Sequence, residues 1–304
     1  MQALSATETA ALLPYLELAQ ALERVLRDKT AGTVRAPERL VMPLMGGGTL
    51  LLMPAADPQI AITKLVTVHP NRQPSVQAEV YVLDARTGER KLTLDGATVT
   101  ARRTAAVSLL AAQKLAPNPA GSLLVVGAGV QAKSHLEAFY IGLGTKKAYI
   151  TSRNPKHAEA LSADARSLGL DAETIIGPDA VLDEVSLIVT ATTSNTPILN
   201  HKVRDDAFIA AVGAYRPDMA EIPAELVRRS RVFVDSLEGA KAEAGDLIQA
   251  GVDWREVRGL EAALDLLRPS AGPVLFKSVG HALWDLAAAR LAVDKGWDQD
   301  CLLE

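Results

Sequence analysis

LLVVGAGVQA, residues 123–132, is an apolar run that stops at a glycine and restarts as a helix. Gly127, Gly129 and Ala132 stand in the three small-residue positions of a dinucleotide-binding turn. Gly127 permits the tight turn and Gly129 lets a pyrophosphate approach the backbone. The helix opening near Val130 presents unpaired N–H groups and the positive end of its dipole. Such a pattern is weak in isolation, but here it follows a strand, opens a helix and begins a βαβ unit. Gly127, Ala128, Gly129, Val130 and Gln131 are therefore expected to hold a dinucleotide pyrophosphate.

Which dinucleotide is read from the next strand. About 20 residues beyond the glycines, NAD-binding chains place a carboxylate that accepts from the ribose 2′-hydroxyl. This chain has TSRNPKH at residues 151–157, with no carboxylate. Ser152, Arg153 and Asn154 can donate to a 2′-phosphate, and Lys156 and His157 add positive charge. NADPH is the expected cofactor, with NADH the less favoured alternative. A plainer role is compatible: Asn154 caps the helix that Pro155 opens.

Outward from this turn, SLLVVG, KAYIT, AETII, SLIVTAT, FIAAVG and RVFVD read as continuous apolar strands separated mostly by helical stretches. That rhythm predicts an α/β fold with a doubly wound, Rossmann-type parallel sheet. The preceding segment reads differently. An amphipathic helix around residues 10–27 is followed by RLVMPLM, GTLLLMPA, IAITKLVTV and VQAEVYVLD, short strands punctuated by turn residues, so a mostly antiparallel sheet is predicted. A long helix from Asp95 ends where Pro117, Asn118 and Pro119 cannot continue it. The final helix, VGHALWDLAAARLAVDKG, is apolar enough to pack back on the first domain. The expected organisation is a substrate-binding and dimerisation domain, residues 1–118 joined by 279–304, and a nucleotide-binding domain, residues 119–278.

Composition narrows the partners. A net charge of −4 over 304 residues offers no basic face for nucleic acid, and no apolar run approaches the roughly 18 residues of a membrane span. The first residues lack the basic start and cleavage site of a signal peptide, so a cytoplasmic location is expected. Cys301 is the single cysteine, which leaves no disulfide framework or thiolate metal cluster within one chain, and no metal is expected. Redox chemistry must come from a cofactor.

Three cations stand out in the first domain: Arg35 in TVRAP, Lys64 inside an apolar strand, and Arg103 on the long helix. A lysine in such a strand must reach a partner, because an unpaired buried ammonium is costly. In the second domain, IAAVGAYRPDMAEI, residues 209–222, sets Tyr215 just past the glycine that ends a buried strand.

Read together, LDGATVTARRTAAVSLLAAQKLAP, LLVVGAGVQAKSHLEAF, IVTATTS, VGAYRPDMAEI and FKSVGHALWDLAAA resemble, in order and over nearly the whole chain, the ornithine cyclodeaminase and mu-crystallin family. The resemblance implies a Rossmann domain paired with a substrate domain built from both chain ends, and a homodimer formed through the sheet of the latter. It implies that Arg35, Lys64 and Arg103 surround the substrate carboxylate and the reacting centre, and that Gln77 lines the same pocket. Thr104, Thr190, Ala191, Thr192, Val212 and Gly213 are implied cofactor contacts. Ser278 and Val279 would close over the nicotinamide, and Ser278 and Gly280 would face substrate. His281 is the weakest carry-over.

One departure is informative. The cyclodeaminases and related alanine dehydrogenases carry an aspartate two residues after the strand-end glycine, where this chain has Tyr215. A phenol with a reference pKa near ~10 is a poor base. Asp218 lies three residues further on and is no obvious substitute. The R-P-D pattern resembles the branch that reduces cyclic imino acids, Δ1-pyrroline-2-carboxylate to L-proline and Δ1-piperideine-2-carboxylate to L-pipecolate. In that reaction Arg35 and Arg103 would hold the carboxylate, Lys64 would supply a proton directly or through water, and Tyr215 would shape the pocket wall or donate a hydrogen bond, or only fill space. The alternatives are amino-acid deamination, reductive amination with an external amine, and a non-enzymatic NADP(H)-binding protein.

Overall fold

The computed structural model describes residues 2–69, 71–72, 74–270 and 272–295. Cys301 and the end of the 279–304 segment lie outside them. The chain divides into two compact units, one of residues up to Arg103 with those from His281 onward, the other Thr104–Gly280.

In the first unit, strands β1 (Gln2–Ala3), β2 (Leu40–Pro43), β3 (Thr49–Ala56), β4 (Ile60–Val68), β5 (Val76–Asp84) and β6 (Arg90–Asp95) form one sheet in the order β1-β6-β5-β4-β3-β2. All pairs from β2 to β6 are antiparallel, and β1 adds parallel to β6. Along β4 the side chains alternate: Ile60, Ile62, Lys64 and Val66 are buried, and the residues between them are half-buried. The C-terminal helix, Ala282–Asp294, packs on β3, β4 and β5 and on the helix Tyr15–Ala31. Its Arg290 pairs with Asp28 at 2.5 Å and with Asp57, fastening the end of the chain to the beginning.

Instead of one helix over residues 10–27 there are two, Ala6–Leu12 and Tyr15–Ala31. Pro14 separates them, because it has no N–H to donate and clashes with the preceding turn. Ser5 and Glu8 form a capping box on the first. Strand β6 is an addition to the sequence reading.

The second unit holds β7 (Leu123–Val126), β8 (Lys147–Thr151), β9 (Asp171–Thr174), β10 (Leu187–Thr190), β11 (Phe208–Ala211), β12 (Arg231–Val234), β13 (Arg258–Gly259) and β14 (Val274–Lys277). They form an all-parallel sheet in the order β13-β12-β14-β11-β10-β7-β8-β9. Strand order reverses between β7 and β10, the switch point where ligands bind outside the carboxyl ends of such sheets. Strand β14, between β11 and β12, was not among the predicted strands. The helix Gly96–Leu115 contains the division between units at Arg103, so the boundary lies upstream of the expected Pro117 to Pro119 stretch. Residues 279 and 280 likewise belong to the second unit.

Candidate active site

The glycine turn follows β7 at the switch point. Gly127 has φ +123°, and a Cβ there would stand 2.5 Å from the Ala191 carbonyl oxygen, so the turn accepts only glycine. Gly129 N-caps the helix Val130–Leu143 without a side-chain cap, and a Cβ on it would meet nothing within 4 Å. Val130 is 70% exposed. Open space over uncapped N–H groups fits a dinucleotide pyrophosphate. At the end of β8, the Ser152 hydroxyl donates to the Asn154 carbonyl at 2.7 Å, and Asn154 Oδ1 accepts from Lys156 N at 3.1 Å. Asn154 is thus the cap of the helix Pro155–Ser167. Arg153, Lys156 and His157 are exposed.

The other implied cofactor residues also lie at strand ends of this unit, except Thr104, which is buried on the helix Gly96–Leu115. Their backbone is held by carboxylates absent from the sequence reading. Glu221, fully buried, accepts at Oε1 from Thr192 N at 2.7 Å and the Thr192 hydroxyl at 2.8 Å. At Oε2 it accepts from Gly213 N at 2.8 Å, Ala214 N at 3.2 Å and the Thr190 hydroxyl at 3.1 Å. Asp246 Oδ1 takes the N–H groups of Glu221 and Ile222 at 2.6 and 2.9 Å, and its Oδ2 pairs with buried Lys277 at 2.8 Å. Burial raises the Glu221 pKa, the Lys277 charge opposes that, and Asp246 adds to it. Three backbone N–H groups and two hydroxyls thus converge on the Glu221 side chain as their acceptor. Asp235, at the end of β12, accepts from the Ser278 hydroxyl at 2.7 Å and from Val279 N and Gly280 N at 3.2 and 2.8 Å. Ser278 is thereby engaged with Asp235. Tyr215 is 49% exposed on the loop after Gly213, and Asp218 forms an ion pair with Arg216 at 3.0 Å.

In the first unit, Lys64 is 2% exposed. Its Nζ donates to Asp285 Oδ1 at 3.0 Å and to the Thr100 hydroxyl at 3.2 Å, and lies 2.9 Å from Asp285 Oδ2. Arg103 Nε stands 3.3 Å from Asp285 Oδ1. One fully buried carboxylate therefore faces two cations. Burial pulls the Lys64 pKa down to about 8; Asp285 resists, while Arg103 and Arg39 push the same way as burial. A lysine so placed exchanges its proton close to neutral pH, which general-acid chemistry requires.

Two expectations for this unit change. The early arginine whose charge bears on Lys64 is Arg39, half-buried just before β2, whereas Arg35 is exposed and bonds through its backbone to Ala56. Gln77 pairs with Thr67 and Lys64 with Val80, so alternation puts Gln77 on the sheet face opposite Lys64. There it lines a recess with Leu65, Thr67 and Glu79. His281 N-caps the C-terminal helix, its Nδ1 accepting from Leu283 N at 3.2 Å.

A unit with a parallel sheet and a glycine turn at its switch point, and a second unit carrying a buried lysine, an aspartate and an arginine, define a Rossmann-type two-domain protein with a candidate site for acid chemistry. The chain belongs to the ornithine cyclodeaminase/mu-crystallin family, whose model matches residues 1–299. It is 43% identical over 293 residues to Delta(1)-pyrroline-2-carboxylate reductase 1 of Burkholderia multivorans, covering 95% of this chain and 94% of that protein. It is 42% identical over 293 residues to the Delta(1)-pyrroline-2-carboxylate/Delta(1)-piperideine-2-carboxylate reductase of Azospirillum brasilense, covering 95% and 94%. Among solved structures, Thermococcus litoralis Delta(1)-pyrroline-2-carboxylate reductase in complex with NADH and L-proline superposes with a TM-score of 0.90 at 28% identity, covering 97% of each chain.

Proposed function

We propose that this protein is an NADPH-dependent reductase of cyclic imino acids, converting Δ1-pyrroline-2-carboxylate to L-proline and Δ1-piperideine-2-carboxylate to L-pipecolate. The observation that carries the reaction class is buried Lys64, held by Asp285 with its pKa near 8. Likeness to relatives named for these reactions supports the substrate class.

A bound nicotinamide dinucleotide supplies hydride to the imine carbon. Gly127, Gly129 and the start of the following helix hold its pyrophosphate, with 190–192, 212–213 and 278–279 as further contacts. Lys64 gives a proton to the imine nitrogen, making the adjacent carbon more electrophilic and balancing the reduction of C=N to CH–NH. When Lys64 becomes neutral, Asp285 keeps Arg103 as its counter-charge. Arg103 and Arg39 hold the substrate carboxylate, the guanidinium offering a two-pronged donor. Tyr215 supplies no base for removing a proton from a substrate amine, which a preformed imine does not require.

Preference for NADPH is supported by the missing carboxylate after β8 and by exposed Arg153, Lys156 and His157. A homodimer is supported by edge strand β2, whose Leu40, Val41 and Met42 are all exposed. The test is a panel of assays with both imines, and with L-ornithine, under each cofactor. NADPH oxidation with either imine and no ammonia from ornithine is expected; ammonia release without imine reduction contradicts the reading.

A further inference from the structure

The loop that carries Tyr215 returns Glu221 to the ends of β10 and β11. Beyond the five donors to its carboxylate, the Glu221 carbonyl accepts from Ile198 N at 2.8 Å. Gly245 packs so tightly beneath the loop that a Cβ there would collide with the Met219 and Arg216 carbonyls. Gln249 Nε2 donates to the Pro217 carbonyl at 2.8 Å. At Gly213, a Cβ would collide with Thr192 O and Glu221 Oε1. Gly213, two residues before Tyr215, is thus required by the Thr192 backbone and the carboxylate together.

Strands β10 and β11 pair only as far as Thr190 with Ala211. Beyond that point Glu221 is the group that joins Thr192 to Gly213 and Ala214, one oxygen turned mainly to each strand end. Asp246, which holds the Glu221 and Ile222 N–H groups, pairs with Lys277, the last residue of β14. Three strand ends are therefore set by one buried cluster.

We propose that Glu221 is a positioning residue for nicotinamide-dinucleotide binding, clamping the ends of β10 and β11 in the geometry that receives the cofactor. This rests on the nucleotide-binding reading above. Glu221 acts through Thr192 and Gly213, because its carboxylate is fully buried. An amide at this position turns an N–H group toward donors and loses the clamp on one strand.

The test is equilibrium binding of NADPH and NADH, followed by nicotinamide fluorescence without substrate, for wild type, Glu221→Gln and Glu221→Asp. Glu221→Gln is expected to bind NADPH at least tenfold more weakly, with the KM for imine at saturating NADPH within about twofold of wild type. Glu221→Asp keeps the charge but cannot span both strand ends. It is expected to lose at least threefold in affinity and provides the readout if the glutamine variant does not fold. Leu226→Ala, a buried change elsewhere in the same unit, controls for general loosening and should leave cofactor affinity within twofold. Undiminished affinity in the folded Glu221 variants, or an equal loss in Leu226→Ala, overturns the inference and leaves the proposed function standing. A wild type that binds neither dinucleotide overturns both.

Discussion

Lys64 and Asp285, 221 positions apart in sequence, meet as a fully buried ion pair with Nζ 3.0 and 2.9 Å from the two carboxylate oxygens. The pair joins the middle of β4 to the C-terminal helix, so both chain ends are needed to place the ammonium. Removing two charges from water is costly, and a pair of this kind is weak support for stability. Burial lowers the Lys64 pKa to about 8 and Asp285 limits that fall, so the ammonium titrates close to neutral pH.

The first prediction follows from the sign of that titration. With its pKa lowered to about 8, Lys64 is protonated below that pH and loses its proton as pH rises through it. Imine reduction should fall on the alkaline side with an apparent pKa near 8. Lys64→Met should lose at least about tenfold in kcat/KM, roughly 1.4 kcal/mol of transition-state stabilisation, and should lose this alkaline limb. A folded Lys64→Met variant with an unchanged profile would return the lysine to a structural role.

Asp285→Asn removes the charge that raises the Lys64 pKa, so the alkaline limb should move to lower pH. Two buried cations then face each other without a counter-ion, and stability should drop by about 3–5 kcal/mol. Chemical denaturation with a parallel pH–rate profile checks both. A limb that stays in place shows that Asp285 does not set the lysine.

Arg39 and Arg35 give a paired comparison. Arg39→Met should cost at least tenfold in kcat/KM for imine through loss of carboxylate binding, whereas Arg35→Ala, with its exposed side chain, should stay within about twofold of wild type. The reverse ranking, measured by steady-state kinetics at saturating NADPH, restores the first assignment.

Why some of this was legible in sequence and some was not is a matter of range. The turn at Gly127 and Gly129 is local, each glycine answering a backbone demand within a few residues, and it could be read directly. Lys64 announced itself as a charge in an apolar strand, but its partner did not: Asp285 sits in HALWDLAAARL as one polar position of a helix. Glu221, Asp246 and Lys277 likewise each look ordinary in their segments and become a cluster only when the sheet brings them together. Gln77, placed in the Lys64 pocket by resemblance, stands on the opposite sheet face, because face follows from strand register. Arg35 and Arg39 both precede the early strands, and only folding separates them.

Cofactor choice is tested at Arg153. Arg153→Ala should raise the KM for NADPH while leaving that for NADH within about twofold, shrinking the NADPH preference about tenfold. The 2′-phosphate is the group that distinguishes NADPH from NADH. If the ratio of the two kcat/KM values does not move, Arg153 is not the phosphate ligand; if wild type prefers NADH, the reading of residues 151–157 is wrong.

The central claim is hydride delivery to the carbon of a cyclic imine, and isotope transfer measures it directly. The protein is given Δ1-pyrroline-2-carboxylate and NADPH deuterated at the transferable C4 position, and the product is analysed by mass spectrometry and NMR. L-Proline carrying one deuterium at C2, formed in step with cofactor oxidation, is the predicted result. Proline without deuterium under stereochemically matched labels on both C4 faces, or no proline while ammonia is released from L-ornithine, contradicts the account.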